Sequence, residues 1–218
     1  MAKETEQGQV SGTAASFAHV WQSERLVFRA IEDDNEDKTF LWKHIDNDPV
    51  IATLGFGRLC APSTKSSLVQ SVSSNSILRV CFCLKPAAED AAAAAAADQR
   101  LAPIGILNMW PKYHAHNRGG EISVSVSAPF RGKGYGGEAI NWALDWGFQR
   151  GNLHCISLAA FDFNPGALAL YRKLGFVEEG RNRDAVYFER KWHDIVLFSM
   201  LEGEWEQLRA LGTDGGSR

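Results

Sequence analysis

The chain lacks a long apolar run. No window approaches the ~18 consecutive apolar residues that a membrane span needs. The start, MAKETEQGQVSGTAAS, has no apolar h-region, so it does not read as a secretory signal. There is no excess of basic charge either. Lys and Arg number 23 against 26 Asp and Glu, and the pI is about 6.1, which leaves out the electrostatic footprint of a nucleic-acid binder. Cysteines are few: Cys60, Cys81, Cys83 and Cys155. Their spacing fits neither a zinc knuckle nor a disulfide framework, and no metal is expected. Cys81 and Cys83 stand two apart on an expected strand, so both face one way as small buried hydrophobes. Without an export signal, a reducing compartment is expected, cytoplasm or nucleus.

What is present is an ordinary globular composition, 45% hydrophobic and 22% charged over 218 residues, enough for one domain with its own core. Residues 1–18 are polar and without period and read as a disordered leader. The domain is expected over 19–205, with a low-complexity Ala-rich inserted loop at 85–101 and a C-terminal tail at 206–218. Arg25–Ile31 alternates as a strand. The acidic run Glu32–Asp37 then precedes Phe40, Leu41, His44 and Ile45 at helical spacing, where acids complement the dipole. Ser63 is placed as the cap of a second helix carrying Leu68, Val69 and Val72. Strands follow at Ile77–Leu84, Ile104–Trp110 and Glu121–Ala128. A helix is expected over Gly136–Arg150, then a strand over His154–Phe163. Asn164-Pro165 starts another helix as N-cap and first residue, and Gly175 ends it. Two more strands fill Val177–Leu201, turning within Glu189–Trp192. A short helix with Trp205, Leu208 and Leu211 precedes the tail. The order describes a mixed α/β protein on one sheet.

The run Arg131-Gly132-Lys133-Gly134-Tyr135-Gly136 lies between a strand and a helix. Unpaired N–H groups at a helix start suit an anion, glycines permit close approach, and Arg131 and Lys133 add cationic donors. The bland alternative is a glycine-rich turn with solvated charges. The run has neither the end of a nucleotide P-loop nor dinucleotide spacing. In Tyr171 the helical period allows a plain core tyrosine.

Strand, Arg131–Gly136 and helix together resemble the acetyl-CoA loop of the GNAT superfamily of N-acetyltransferases, Gln/Arg-x-x-Gly-x-Gly/Ala, with Arg131, Gly134 and Gly136 in the defined positions. Asn164-Pro-Gly-Ala-Leu-Ala-Leu-Tyr171-Arg-Lys-Leu-Gly-Phe176 resembles that superfamily's second signature. Arg181, Lys191–Asp194 and Ser199–Trp205 are similar to the branch holding ribosomal-protein alanine and spermidine N-acetyltransferases. The likeness covers about Ser23 to Trp205. It implies a roughly seven-stranded, mainly antiparallel mixed sheet whose fourth and fifth strands splay in a V around the pantetheine.

The resemblance further implies acetyl-CoA as donor, held by Val124 and Val126 main chain, by Arg131–Gly136 and by Asn164. It implies Tyr171 as the acid that protonates the departing thiolate. Glu121 is the first candidate for the base, with an exposed strand-start acid as the alternative; His114 and His116 are others, also readable as solvated loop histidines. The acceptor is a primary amine: a protein N-terminus or a small molecule, including a polyamine that Glu32–Asp37 would attract. Trp42, Trp110, Tyr113, Tyr187 and Trp192 are candidate pocket aromatics. A coenzyme-A-binding regulatory module without turnover is the non-enzymatic alternative. Monomer and homodimer both remain open.

Overall fold

The computed structural model describes residues 19–56, 62–66, 75–86 and 100–214. The expected leader, the alanine tract and the helix expected around Leu68–Val72 lie outside the described residues.

Strand β1 (Leu26–Arg29) leads into helix α1 (Asn35–Phe40). Asp34 caps this helix, accepting from the Asp37 N–H at 2.9 Å. Asp37 itself is buried and accepts both guanidinium arms of Arg29 at 2.9 Å each, with Arg100 beside it. Asp33 pairs with Lys38 at 2.5 Å. Three carboxylates of the acidic run are thus occupied within the fold. A π-helical stretch, Leu41–Asp46, continues α1.

Helix α2 (Pro49–Phe56) is an element that the sequence reading did not place. Its cap is Asp48, whose Oδ1 accepts from the N–H groups of Val50 (2.9 Å) and Ile51 (3.0 Å). Pro49 fills the first position, where no N–H is missed. Ser63 meets Asn47 and Trp42: its N–H donates to Asn47 Oδ1 at 2.8 Å, and its carbonyl accepts from Trp42 Nε1 at 2.6 Å.

The remaining elements are β2 (Leu78–Leu84), β3 (Pro103–Lys112), β4 (Gly119–Val126), α3 (Tyr135–Gln149), β5 (Cys155–Phe161), α4 (Pro165–Lys173), β6 (Val177–Phe188), β7 (Lys191–Leu201) and α5 (Glu202–Asp214). The last helix runs well past Trp205, into the stretch read as tail. β6 and β7 form a hairpin whose turn residues Glu189 and Arg190 both have positive φ, +47° and +63°, the handedness that matches strand twist.

The seven strands form one sheet in the order β1-β2-β3-β4-β5-β7-β6. Every pairing is antiparallel except β4 with β5. Alternation divides the side chains between two faces. Phe28, Phe82, Leu107, Ile156 and Phe198 pack with Ile140, Leu144 and Phe148 of α3 in the larger core. Cys81, Cys83 and Ile106 pack with Leu41, Ile45 and Ile51 in the smaller.

The parallel pair is short. It joins Gly119, Gly120 and Glu121 to Cys155, Ile156 and Ser157 and stops there. Beyond Glu121, β4 keeps its register with β3 up to Val126 opposite Gly105. β5 keeps its register with β7 up to Phe161 opposite Ile195. Each strand follows its own outer partner, so the sheet opens into a V.

Candidate active site

The V exposes a strand edge whose direction is fixed by the ladder. The Ser127 N–H donates to the Ile104 carbonyl at 2.9 Å. Along an unbroken antiparallel register, Ser125, Ser123 and Glu121 therefore also turn their main-chain groups to β3. On the other edge, the Arg118 carbonyl accepts from the His154 N–H at 2.7 Å. By the same alternation Ile122, Val124 and Val126 turn their main-chain groups away from β3; the Glu121–Ser157 rung of the parallel ladder takes the Ile122 N–H, so the open groups begin at the Ile122 carbonyl and continue through Val124 to the Val126 N–H. Val124 and Val126 are the two residues of this edge that the sequence reading named. Ile122 adds only its carbonyl, since its N–H closes the last rung of the parallel ladder.

A cleft of about 610 Å³ fills the gap. It is lined by Glu121 through Val126 of β4, Ala159–Phe161 of β5, Arg131 and Gly136, Asn164, Tyr171 and one face of α2. Glu121, Val124, Val126, Arg131, Gly136, Asn164 and Tyr171 thus meet in one place. Gly132, Lys133, Gly134 and Tyr135 are not part of the lining and form the outer run of the same loop.

That loop leaves β4 through a single 3-10 turn, Ala128–Phe130. Gly132 and Gly134 have φ of +73° and +86°, a conformation in which other residues are strained. Gly134 is the N-cap of α3 and supplies no side chain, so the first-turn N–H groups stay open to an anion. The loop is braced from behind by Arg25, which the sequence reading missed. Its Nε donates to Glu138 Oε2 at 2.7 Å, its Nη1 to the Lys133 carbonyl at 3.1 Å, and its guanidinium lies 4.7 Å from the Tyr135 ring centre. Burial alone would raise the Glu138 carboxyl; hydrogen bonds from the Arg25 main chain, Ser23 and the Arg25 side chain outweigh it and hold the group low.

The Arg131 guanidinium is not spread toward solvent as a free phosphate donor. Nε donates to the Val126 carbonyl at 2.9 Å. Nη2 lies 2.7 Å from Asp48 Oδ2, close but poorly aligned, so this buried nitrogen makes an ion pair without a well-formed hydrogen bond.

Tyr171 sits in the last turns of α4, its ring 6.1 Å from Phe176 and edge-on to Phe198 at 5.7 Å. It belongs to the core and lines the cleft at once. Burial pushes its hydroxyl up to about 12. Asn164 caps α4, its Oδ1 accepting from the Ala167 N–H at 3.1 Å. Glu121 is exposed at the point where β4 and β5 part. It is the one carboxylate among the described lining residues. His114 and His116 stack on each other at 5.8 Å, exposed and outside the lining. Of the five candidate aromatics only Trp110 lines the cleft; Tyr113, Tyr187 and Trp192 are exposed, and Trp42 is bound to Ser63. Among the described residues no cluster of three or more His, Cys, Asp or Glu side chains could hold a metal, and no helix is long and apolar enough to cross a membrane.

A splayed parallel pair, a glycine loop opening a helix and a tyrosine between them define the class. Residues 74–176 match the acetyltransferase (GNAT) family. It is 33% identical over 90 residues to the "Putative ribosomal N-acetyltransferase YdaF" of Bacillus subtilis (strain 168), covering 41% of this chain and 49% of that one. It is 31% identical over 102 residues to a spermidine N(1)-acetyltransferase of Vibrio cholerae, covering 47% of this chain and 58% of that one. The chain spans about half the length of these relatives. The crystal structure of a Vibrio cholerae spermidine N-acetyltransferase in complex with CoA and spermine superposes with a TM-score of 0.67 at 23% identity, covering 84% of this chain and 99% of that one. That likeness is one of fold.

Proposed function

We propose that this protein transfers the acetyl group of acetyl-CoA to a primary amine by direct attack. The observation that carries the reading is the β4 edge beyond the parallel ladder, with the Ile122 carbonyl, both main-chain groups of Val124 and the Val126 N–H open to the cleft that the α3 glycine loop and Tyr171 also border. Pantetheine amides pair with such an edge as an added strand does, while the pyrophosphate takes the N–H groups at the start of α3. A main-chain N–H of this edge polarises the thioester carbonyl in the manner of an oxyanion hole. The amine nitrogen bonds to the carbonyl carbon, and the C–S bond breaks. Tyr171 gives its proton to the thiolate and regains one from solvent. Glu121, directly or through water, takes the proton the new amide nitrogen sheds. No metal enters the reaction.

For the acceptor, charge favours an amine with one positive centre. An α-amine with a pKa near 8 gives up about 1.4 kcal/mol to be neutral at pH 7, and an alkylamine near 10.4 about 4.6 kcal/mol. One exposed carboxylate suits the smaller demand, as in a protein or peptide N-terminus. The second reading, a polyamine, is favoured by the spermidine acetyltransferases among the relatives. Against it stand Asp34 and Asp37, which are tied up by the fold. The named relatives are bacterial, which fits a cytoplasmic location and gives no support to a nuclear one.

A panel of short peptides, monoamines and spermidine, each with acetyl-CoA and scored by released thiol, tests both. Peptide N-termini turned over with a higher kcat/KM than spermidine support the first reading, and the reverse order moves the assignment to polyamines. Tight CoA binding with no turnover on any amine would make the chain a coenzyme-A-binding regulatory module.

A further inference from the structure

We propose that Asp48 is a positioning residue that ties the acceptor-side helix α2 to the donor loop through Arg131. One carboxylate does two things. Its Oδ1 caps α2 through Val50 and Ile51. Its Oδ2 holds Arg131 at 2.7 Å, with only 11% of the Asp48 side chain exposed. Arg131 in turn binds the Val126 carbonyl at 2.9 Å, on the edge that faces the cleft. The path from β4 to α2 is therefore three links long: Val126, Arg131, Asp48. Val50, Ile51 and Leu54 of α2 line the cleft, so whatever fixes the start of α2 fixes that part of its wall.

Arg131 also begins the glycine loop and retains donor capacity. Nε and Nη2 are directed to Val126 and Asp48, and Nη2 lacks a well-aligned acceptor. A diphosphate on the loop adds acceptors next to this guanidinium and excludes water from the Asp48 pair, which strengthens it. Donor binding thereby fixes Arg131, Arg131 holds Asp48, and α2 closes its first turn over the cleft. The acceptor then meets a formed wall. This rests on acetyl-CoA being the cleft's donor.

The test is amide hydrogen exchange of residues 49–56 with and without CoA, in the wild-type chain and in Asp48→Asn. Asparagine caps a helix as well as aspartate but cannot form the ion pair. The expected result is slower exchange in α2 when CoA binds the wild type and no such slowing in Asp48→Asn, although CoA still binds. Asp48→Ser, a second uncharged cap, behaves as Asp48→Asn does. In turnover, Asp48→Asn raises KM for the acceptor by about fivefold or more, the lower range of coupling between sites, and the acceptor ceases to tighten CoA binding, because coupling is reciprocal. Slowing that persists in both variants, or a wild-type α2 indifferent to bound CoA, overturns the coupling and leaves the acetyltransferase reading intact. Failure of the wild type to bind CoA overturns that reading itself and this inference with it.

Discussion

At Tyr171 burial and chemistry act in the same direction. A residue that hands a proton to a thiolate must hold that proton, and burial pushes this hydroxyl up to about 12. The neutral form favoured by the fold stabilises it fully below pH about 10, and this contribution is lost as pH rises toward about 12. The rate is therefore expected to climb with pH as the amine loses its proton, with no fall caused by Tyr171 below pH about 10. A falling limb in that range that disappears in Tyr171→Phe would remove the tyrosine from the acid role. The same variant is expected to lower kcat by roughly 10²-fold or more, the usual worth of a positioned general acid, with CoA affinity measured by calorimetry unchanged. Gly134→Ala acts differently. Its φ of +86° and a Cβ only 3.2 Å from Arg25 Nη2 impose roughly 1–2 kcal/mol of strain. A lower melting temperature and weaker CoA binding are expected together; an unchanged CoA Kd would detach this glycine from the donor site.

Helix α4 shows how an element delivers its residue. Asn164 caps it, Pro165 starts it and Gly175, at φ +92°, ends it, which fixes where Tyr171 falls along the chain. Asn164→Ala is expected to cost about 1 kcal/mol of stability, seen in urea unfolding as a lower midpoint at constant slope. Helix α3 is delivered by a residue far away in sequence. Arg25→Ala frees Glu138 and the Lys133 carbonyl, and CoA affinity is expected to fall while the near-ultraviolet spectrum of the core stays native; retained affinity would reduce Arg25 to surface chemistry. Punctuated elements such as α4 were legible in the sequence. Helix α2 was not, because Val-Ile-Ala-Thr-Leu-Gly-Phe is apolar on all sides and shows no helical period. Its only local signal is Asp48-Pro49, a cap followed by a helix-starting proline.

For the whole molecule, a cleft formed between strands that part company predicts binding linkage. CoA at 100 times its Kd is expected to stabilise the fold by about 2.7 kcal/mol, read as a rise in melting temperature that grows with ligand concentration; no rise would exclude the cleft as a CoA site. The sequence by itself determined the glycine loop, the α4 signature with Tyr171 and Asn164, and most of the succession of strands and helices along the chain, because these depend on period, caps and turn residues close together in the chain. Only the tertiary structure decided where β4 leaves the parallel ladder, that Arg131 spends its guanidinium on Val126 and Asp48, and that Asp33, Asp34 and Asp37 of the acidic run pair within the fold. Those outcomes depend on strand register and on partners tens of residues apart, and local patterns carry no information about either. The glycine loop borders the cleft, and its arginine reaches across to the start of α2.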